Sequence, residues 1–419
     1  MMRLSILTSV VCMGCALATW ANAQKPANSP LQLNAEWRLR FEDRMCTDFC
    51  APNHKHPEDE LSRFRMNLTL RSSPNTTLFA RLQHSYRRNR LNGTADTTEK
   101  SGFGQLYLDN RWGNTSLRLG RQEIVYGDNR VLAIAGWDNV GYTWDAVKLG
   151  FKGNRWQTDL FYGRPGMFPN SNTHPVLYGV YATYKPSAQW QSDLYLLRKE
   201  VIASGAPHRL WAVGVRPVVQ LGKSAKLTAE AVVQTGQAGS KDLRAWGYWA
   251  RLEYTLSRAG GTKLILQRDF ASGGDPDGTT AHTFDQLFGT TFSQCGRMGL
   301  QGWRNMSTWR LGLSGNPSPR WQFTADVHFN RLADPKDYWY SSGGTPIKGK
   351  DGKALRDPTG SAGTEVGTEF NCTLTYSPAR DLQLSAGYGV FLPGRFVRQT
   401  NGGFSDWTQW FYLQTTRKF

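Results

Sequence analysis

Leu31-Gln32-Leu33-Asn34-Ala35-Glu36-Trp37-Arg38-Leu39-Arg40-Phe41-Glu42 alternates apolar and polar residues without a break. The odd positions carry Leu, Ala, Trp and Phe, and the even positions carry Gln, Asn, Glu and Arg. A period of two belongs to a strand with two unlike faces, because helical side chains repeat every 3.6 residues or so, about one turn. The pattern returns at Phe64, Met66, Leu68 and Leu70 against Arg63, Arg65, Asn67, Thr69 and Arg71. It returns again at Trp321, Phe323, Ala325, Val327 and Phe329 against Gln322, Thr324, Asp326, His328 and Asn330.

Outward from these segments, the connections sort by length. Short ones fall at Pro74-Asn75, Gly113-Asn114, Gly153-Asn154, Pro186-Ser187, Leu221 to Lys223, Ser257 to Gly261, Asn316 to Pro319 and Ser377 to Ala379. Long ones run over Asp43 to Asp59, Leu91 to Gly102, Arg121 to Gly141, Arg164 to Thr173, Glu200 to Pro207, Gly236 to Ser240, Ala271 to Gly302, Leu332 to Gly363 and Leu392 to Ser405. Such a rhythm joins about eighteen antiparallel strands in an up-and-down transmembrane β-barrel, with turns in the periplasm, long loops outside and both termini periplasmic. A soluble sandwich or solenoid also has alternating strands, but its connections need not sort in this way. Trp112, Trp144, Trp156, Trp190, Trp211, Trp246 and Tyr376 fall near strand ends, where interfacial girdles want aromatic rings.

The N-terminus sets the compartment. A short basic start at Arg3, an apolar run from Leu4 to Trp20 and small residues at Ala21-Asn22-Ala23 read as a signal peptide over residues 1–23, leaving a single barrel domain over 24–419. Neither Cys12 nor Cys15 lies in a proper lipobox, so lipidation is not expected. Past this leader no run of about eighteen apolar residues exists, and only 39% of the chain is hydrophobic. Barrel strands show lipid only every second residue, so that polarity is compatible with a membrane protein.

Lysine and arginine number 50 against 33 acidic residues, for a formal charge of +17. A basic side chain facing lipid near the midplane costs about 2 to 4 kcal/mol, so Arg38, Arg40, Arg63, Arg65, Arg81, Arg118, Lys148, Arg304 and Arg310 are expected to face the lumen. There they would either focus a positive field on passing anions or pair with Glu36, Asp109, Glu230, Glu253, Glu365 and Glu369. No basic helix or zinc module supports a nucleic-acid partner.

The run Leu117-Arg118-Leu119-Gly120-Arg121-Gln122-Glu123, continued by Tyr126-Gly127-Asp128-Asn129-Arg130, Trp137-Asp138-Asn139 and Trp144-Asp145-Ala146-Val147, resembles the alginate-export family of outer-membrane barrels. Phe284-Asp285-Gln286-Leu287-Phe288, Gly302-Trp303-Arg304-Asn305, Arg310-Leu311-Gly312-Leu313 and Gly387-Tyr388-Gly389-Val390-Phe391 agree with it. The resemblance implies a monomeric eighteen-stranded barrel with an arginine-lined constriction for polyuronate export. It assigns the pore lining to Arg38, Arg63, Arg121, Arg130, Arg304 and Arg310, to which the inward expectation for mid-strand basic residues adds Arg118. The compact chain predicts that the family's gating loop and plug are shortened or absent.

The expected function is therefore passage of an anionic polysaccharide such as alginate, with uptake of acidic oligosaccharides as the alternative and a barrel hydrolase as a distant third. The expected partners are that saccharide, outer-membrane lipid and lipopolysaccharide, and the barrel-assembly machinery. No catalytic motif accompanies His328, and neither a cofactor nor a metal is expected. His54 and His56 beside Cys46 and Cys50 suit zinc superficially, but in an oxidising compartment a Cys46–Cys50 disulfide is the preferred reading. Cys295 belongs to a long loop, and Cys372 to a lipid-facing strand position. Asp275-Pro276-Asp277-Gly278 lacks the distal Glu of a calcium loop and reads as a turn.

Overall fold

The computed structural model describes residues 29–51, 56–91, 94–167, 175–203, 206–257 and 260–419. The signal peptide, the expected mature start at Gln24 and His54 lie outside the described residues. Nineteen strands form one sheet: β1 (Leu31–Met45), β2 (Pro57–Arg71), β3 (Thr76–Leu91), β4 (Thr94–Trp112), β5 (Thr115–Gln122), β6 (Trp144–Lys152), β7 (Trp156–Pro165), β8 (Val176–Tyr184), β9 (Trp190–Ala203), β10 (Ala206–Leu221), β11 (Ala225–Ala238), β12 (Lys241–Ser257), β13 (Thr262–Ala271), β14 (Thr280–Ala281), β15 (Met306–Ser318), β16 (Trp321–Arg331), β17 (Glu365–Ala379), β18 (Leu382–Pro393) and β19 (Thr408–Lys418). The two-residue β14 runs parallel to β12 inside a loop, while β13 pairs directly with β15. The other eighteen strands are antiparallel neighbours, and β1 closes the barrel against β19.

Closure removes every long free edge, and parity then separates the faces. Leu39 on β1 is register-paired with Ser62 and Thr415, whereas Arg38 pairs with Arg63 and Thr416. Leu39 is exposed and Arg38 buried, so odd residues of β1 face outward and even ones face the lumen. Leu82, Leu108, Leu119, Val147, Leu160, Leu194, Val213, Val233, Leu264, Leu311, Leu374 and Leu413 continue the outward apolar belt around the barrel. Water would penalise a belt of that extent and hydrocarbon does not, which excludes the soluble-sandwich reading. Trp112, Trp156, Trp190, Trp211 and Trp246 face outward as girdle residues. Trp144 does not: it is fully buried and meets Phe288 edge-on at 4.6 Å, because its strand presents it to a loop inside the barrel.

Most of the connections fall where alternation ends, with five corrections. Gly236 to Ser240 is a two-residue turn at Gly239-Ser240, since β11 reaches Ala238 and β12 begins at Lys241, and the turn expected at Asn316 to Pro319 lies at Pro319-Arg320, since β15 reaches Ser318. Leu91 to Gly102 is a hairpin rather than a loop: β3 runs to Leu91 and β4 starts at Thr94, with Arg90 opposite Ala95. Its polar residues lack an apolar face because this part projects past the belt, where no lipid selects one. Glu200 to Pro207 is likewise mostly strand, since β9 reaches Ala203 and β10 begins at Ala206. The turn expected at Ser377 to Ala379 lies at Arg380-Asp381, after an irregularity between Tyr376 and Ala379.

Candidate translocation path

Two long loops fold back into the lumen. Residues 123–143 start on the β7 and β8 wall, where Tyr126 stacks at 4.1 Å on Tyr181 and at 5.6 Å on Phe161, and its hydroxyl donates to Asp159 at 2.7 Å. Asp128 then accepts from Arg216 on β10 and, at 2.5 Å, from Arg251 on β12. Arg130 pairs with Asp269 on β13 at 2.7 Å. The segment ends on the far wall: Arg38 Nη1 donates to the Gly136 carbonyl at 2.9 Å, Arg40 Nη1 to that of Trp137 at 2.7 Å, and Asn139 Nδ2 to that of Tyr86 at 2.9 Å. The loop thus crosses the barrel.

Residues 272–305 reinforce it. Asp285 accepts from Lys199 at 2.8 Å and pairs with His208 at 2.9 Å. Burial alone would raise the Asp285 pKa, but Lys199, His208 and Arg304 outweigh it and hold the carboxyl well below its ordinary range. Glu369 on β17 accepts the backbone N–H groups of Arg297 and Met298 at 2.7 and 3.1 Å. Ile124, Val131, Leu132, Phe284, Leu287 and Phe288 pack on inward residues of β6 to β13 such as Leu177, Leu197, Leu210 and Val232. Gly214 lets the Tyr195 ring lie flat against this wall, since a Cβ there would come within 2.1 Å of the ring. A second cluster joins Phe49, Trp339, Phe391, Phe396 and Trp410 under the loops 332–364 and 394–407. The lumen wall over β6 to β13 is therefore occupied by packed loops, while the short helix Arg395–Thr400 belongs to the second cluster through Phe396 and Val397.

The polar wall is β1 to β5. Arg38 and Arg63 are register partners, Glu36 faces Arg65, and Asn67 faces Arg81. Four guanidinium groups thus occupy neighbouring inward positions. Glu36 pairs with Arg63 at 2.9 Å and Glu123 with Arg81 at 2.7 Å. Arg65 Nε donates instead to the Gln83 side-chain oxygen at 2.7 Å, and Arg38 spends its donors on the loop carbonyls and Asn139. Arg65, Arg81, Gln83, Glu123, Gly141 and Tyr142 line a recess between wall and loop. On the opposite wall acids are caught by phenols, indoles and arginines: Asp193 by Tyr181 at 2.8 Å, and Glu230 by Tyr195 and Trp249 at 2.7 and 2.8 Å.

The seven residues assigned to the pore lining are divided by this geometry. Arg38 and Arg63 lie together on the basic wall. Arg118 is also inward, bonded to Asp109 at 2.5 Å and laid over Tyr107 at 4.3 Å. Arg121 is outward: it is register-paired with Leu106 and with Asp145, which it bonds at 2.7 Å. Arg130 is buried between Asp269 and the Trp249 ring, and Arg310 is paired with Asp326 at 2.8 Å. Arg304, expected on a strand, lies in the loop before β15 with its guanidinium 4.5 Å from the Tyr340 ring. Arg65 and Arg81 complete the wall, and parity within β2 and β3 was the signal that found them inward.

The other chemical candidates resolve into structural contacts. His328 is buried and bonded to Asp326 at 2.9 Å. Cys46 and Cys50 form a disulfide, and His56 Nε2 lies 2.6 Å from Asp43. Arg356 binds Asp275 and Asp277, both at 2.8 Å, so the suspected calcium loop is a turn held by arginine. Cys372 is exposed on the outward face, whereas Cys295 is buried beside Arg130; burial and Asp269 push its thiol up to about 12.

The alginate export family matches residues 29–408. No curated protein matches the chain. Among solved structures, Pseudomonas aeruginosa OccK7 (OpdD) is similar over 94% of this chain and 99% of its own, at 12% identity and a TM-score of 0.63. Pseudomonas aeruginosa OccK2 (OpdF), solved in complex with glucuronate, covers 93% and 98% at 11% identity and a TM-score of 0.62. The outer membrane protein OprD from Pseudomonas aeruginosa covers 93% and 94% at 12% identity and a TM-score of 0.59. Identities this low speak for a common fold.

Proposed function

Because the chain belongs to the alginate export family and has the fold of outer-membrane porins, we propose that it is an outer-membrane pore passing carboxylate-bearing saccharide along its basic wall. The observation carrying this reading is the block Arg38, Arg63, Arg65 and Arg81, which occupies adjacent register positions while, among the described residues, only Glu36 and Glu123 form ion pairs with it. Guanidinium forks match carboxylates, and uronate sugars offer one carboxylate per residue. Several adjacent sites of modest strength let an anion hand over from one to the next without trapping. Glu36 and Glu123 supply that moderation by competing for Arg63 and Arg81.

In this reading a leader over residues 1–23 directs the chain to the periplasm, the termini face that side, and a monomer provides one pore. Export of a polymer such as alginate follows from the family. Uptake of short acidic oligosaccharides is the second reading, favoured by the packed loops 123–143 and 272–305, which narrow the lumen to a path suited to a short cargo. The glucuronate bound to the structurally similar OccK2 (OpdF) supports the same cargo chemistry.

Reversal potentials in planar bilayers under a salt gradient test the pore, with anion preference expected and cation preference overturning the basic-wall reading. Oligouronates should reduce the conductance at concentrations where neutral oligosaccharides do not. A deletion strain that loses secretion of its acidic polymer supports export, and one that loses only growth on oligouronates supports uptake.

A further inference from the structure

We propose that the outward rim of β13, β15 and β16 binds the phosphate groups of an outer-leaflet glycolipid through Arg268 and Arg331. These arginines play no part in the lumen. Arg268 is register-paired with the outward Trp309, and Ser307, two positions further along β15, is register-paired with Arg331. The Arg268 guanidinium lies over the Trp309 ring at 5.3 Å and donates through Nη2 to Ser307 Oγ at 2.7 Å. Arg268 and Arg331 therefore flank Ser307 on the lipid-facing surface, at the ends of strands that lead into the long loops.

The surrounding surface marks an interfacial level. Trp246 and Tyr248 stack with Phe270 at 4.5 and 5.6 Å, forming an aromatic patch beside Arg268. Indoles and phenols settle at the headgroup boundary, so cations just beyond them meet headgroups. Arg331 forms no ion pair among the described residues, although Glu365 faces it across the β16–β17 register. Among the described residues Arg268 likewise has a hydroxyl and a ring as partners and no carboxylate. A guanidinium on a lipid-facing strand is disfavoured unless an anion accompanies it, and phosphate accepts its planar fork in bidentate fashion. The indole platform holds the Arg268 fork in one plane, and Ser307 leaves one further donor to share.

The occupant is a lipid with phosphorylated headgroup sugars. Acyl chains would lie against the apolar belt below while the phosphates reach the arginines. The test uses the full barrel in detergent, comparing wild type with Arg268→Ala/Arg331→Ala by native mass spectrometry and thermal shift against four probes: bisphosphorylated lipid A, its dephosphorylated form, phosphatidylglycerol and inorganic phosphate. The expected result is a loss of about tenfold or more in lipid A affinity in the variant, equivalent to about 1.4 kcal/mol, a comparable loss for wild type with the dephosphorylated lipid, and no shift with inorganic phosphate alone. Unchanged single-channel conductance shows that the variant barrel is folded. The proposal is overturned if the folded variant keeps its affinity, if removing the lipid phosphates changes nothing, or if phosphatidylglycerol binds as tightly as lipid A.

Discussion

Arg130, from the loop that crosses the barrel, lies 2.7 Å from Asp269 on β13, and neither side chain retains any exposed surface. The Trp249 ring, 4.5 Å from the guanidinium, closes the contact from another side. A buried ion pair of this kind adds little net stability against an apolar replacement of the whole pair, but breaking it by halves strands a charge. Its effect here is positional, since it fixes residues 123–143 against the wall from which a mobile loop would have to detach.

Arg130→Met should therefore destabilise the seated loop by about 3 to 5 kcal/mol, leaving Asp269 buried without its partner. The expected observation is frequent openings to a higher conductance in a barrel that still migrates as folded. Arg130→Met/Asp269→Leu should restore the quiet state. If the single variant behaves like wild type in single-channel traces, the loop is held elsewhere.

Selectivity should follow the wall and not the family signature. Arg65→Glu with Arg81→Glu is expected to shift the reversal potential strongly toward cations, because it replaces two of four neighbouring cations by anions. Arg121→Glu, on the outward face beside Asp145, should leave the reversal potential unchanged. Equal effects from both would show that the faces are misassigned.

Acid should loosen the Asp128 clamp. Burial works to raise the Asp128 pKa, but Arg251 and Arg216 outweigh it and hold the carboxyl below its usual 3.8. A depressed folded-state pKa stabilises the seated loop fully above 3.8, and that contribution fades as pH falls through the depressed value. Conductance noise measured from pH 7 down to pH 3 should thus rise only at the acidic end, at about 4 or below. Asp128→Asn should show it already at neutral pH; a variant as quiet as wild type at pH 7 would remove the clamp from the gating picture.

Thiol labelling reports the same loop. Cys295 is buried with its thiol pushed up to about 12, so a maleimide added to the folded barrel at pH 7 should not modify it. Arg130→Met should make Cys295 reactive, because unseating the loop that carries Arg130, whose Nη1 lies 3.7 Å from the sulfur, exposes the thiol to solvent and reagent. Mass spectrometry separates this adduct from one on the exposed Cys372. Rapid modification of Cys295 in the wild type would contradict the packed lumen.

The strand pattern of Leu31 to Glu42 determined two unlike faces by itself, and the rhythm of short and long connections made the strands a barrel; parity is local, so once Leu39 meets lipid, Arg38 and Arg40 must face the lumen. Parity also placed Arg63, Arg65, Arg81 and Arg118 inward; Arg121 shares the parity of Leu117 and Leu119, and the structure has it on their outward face although the sequence reading assigned it to the pore lining. The resemblance to a family signature had pulled Arg121 into the pore. What local pattern could not decide was the course of the loops. Asp128 meets Arg216 and Arg251, and Arg130 meets Asp269, only after the intervening strands have closed into a cylinder. A polar loop reads alike whether it extends into water or turns back to satisfy buried charges. Its direction is set by the complementary groups on the distant wall, and those become its neighbours only in the tertiary structure.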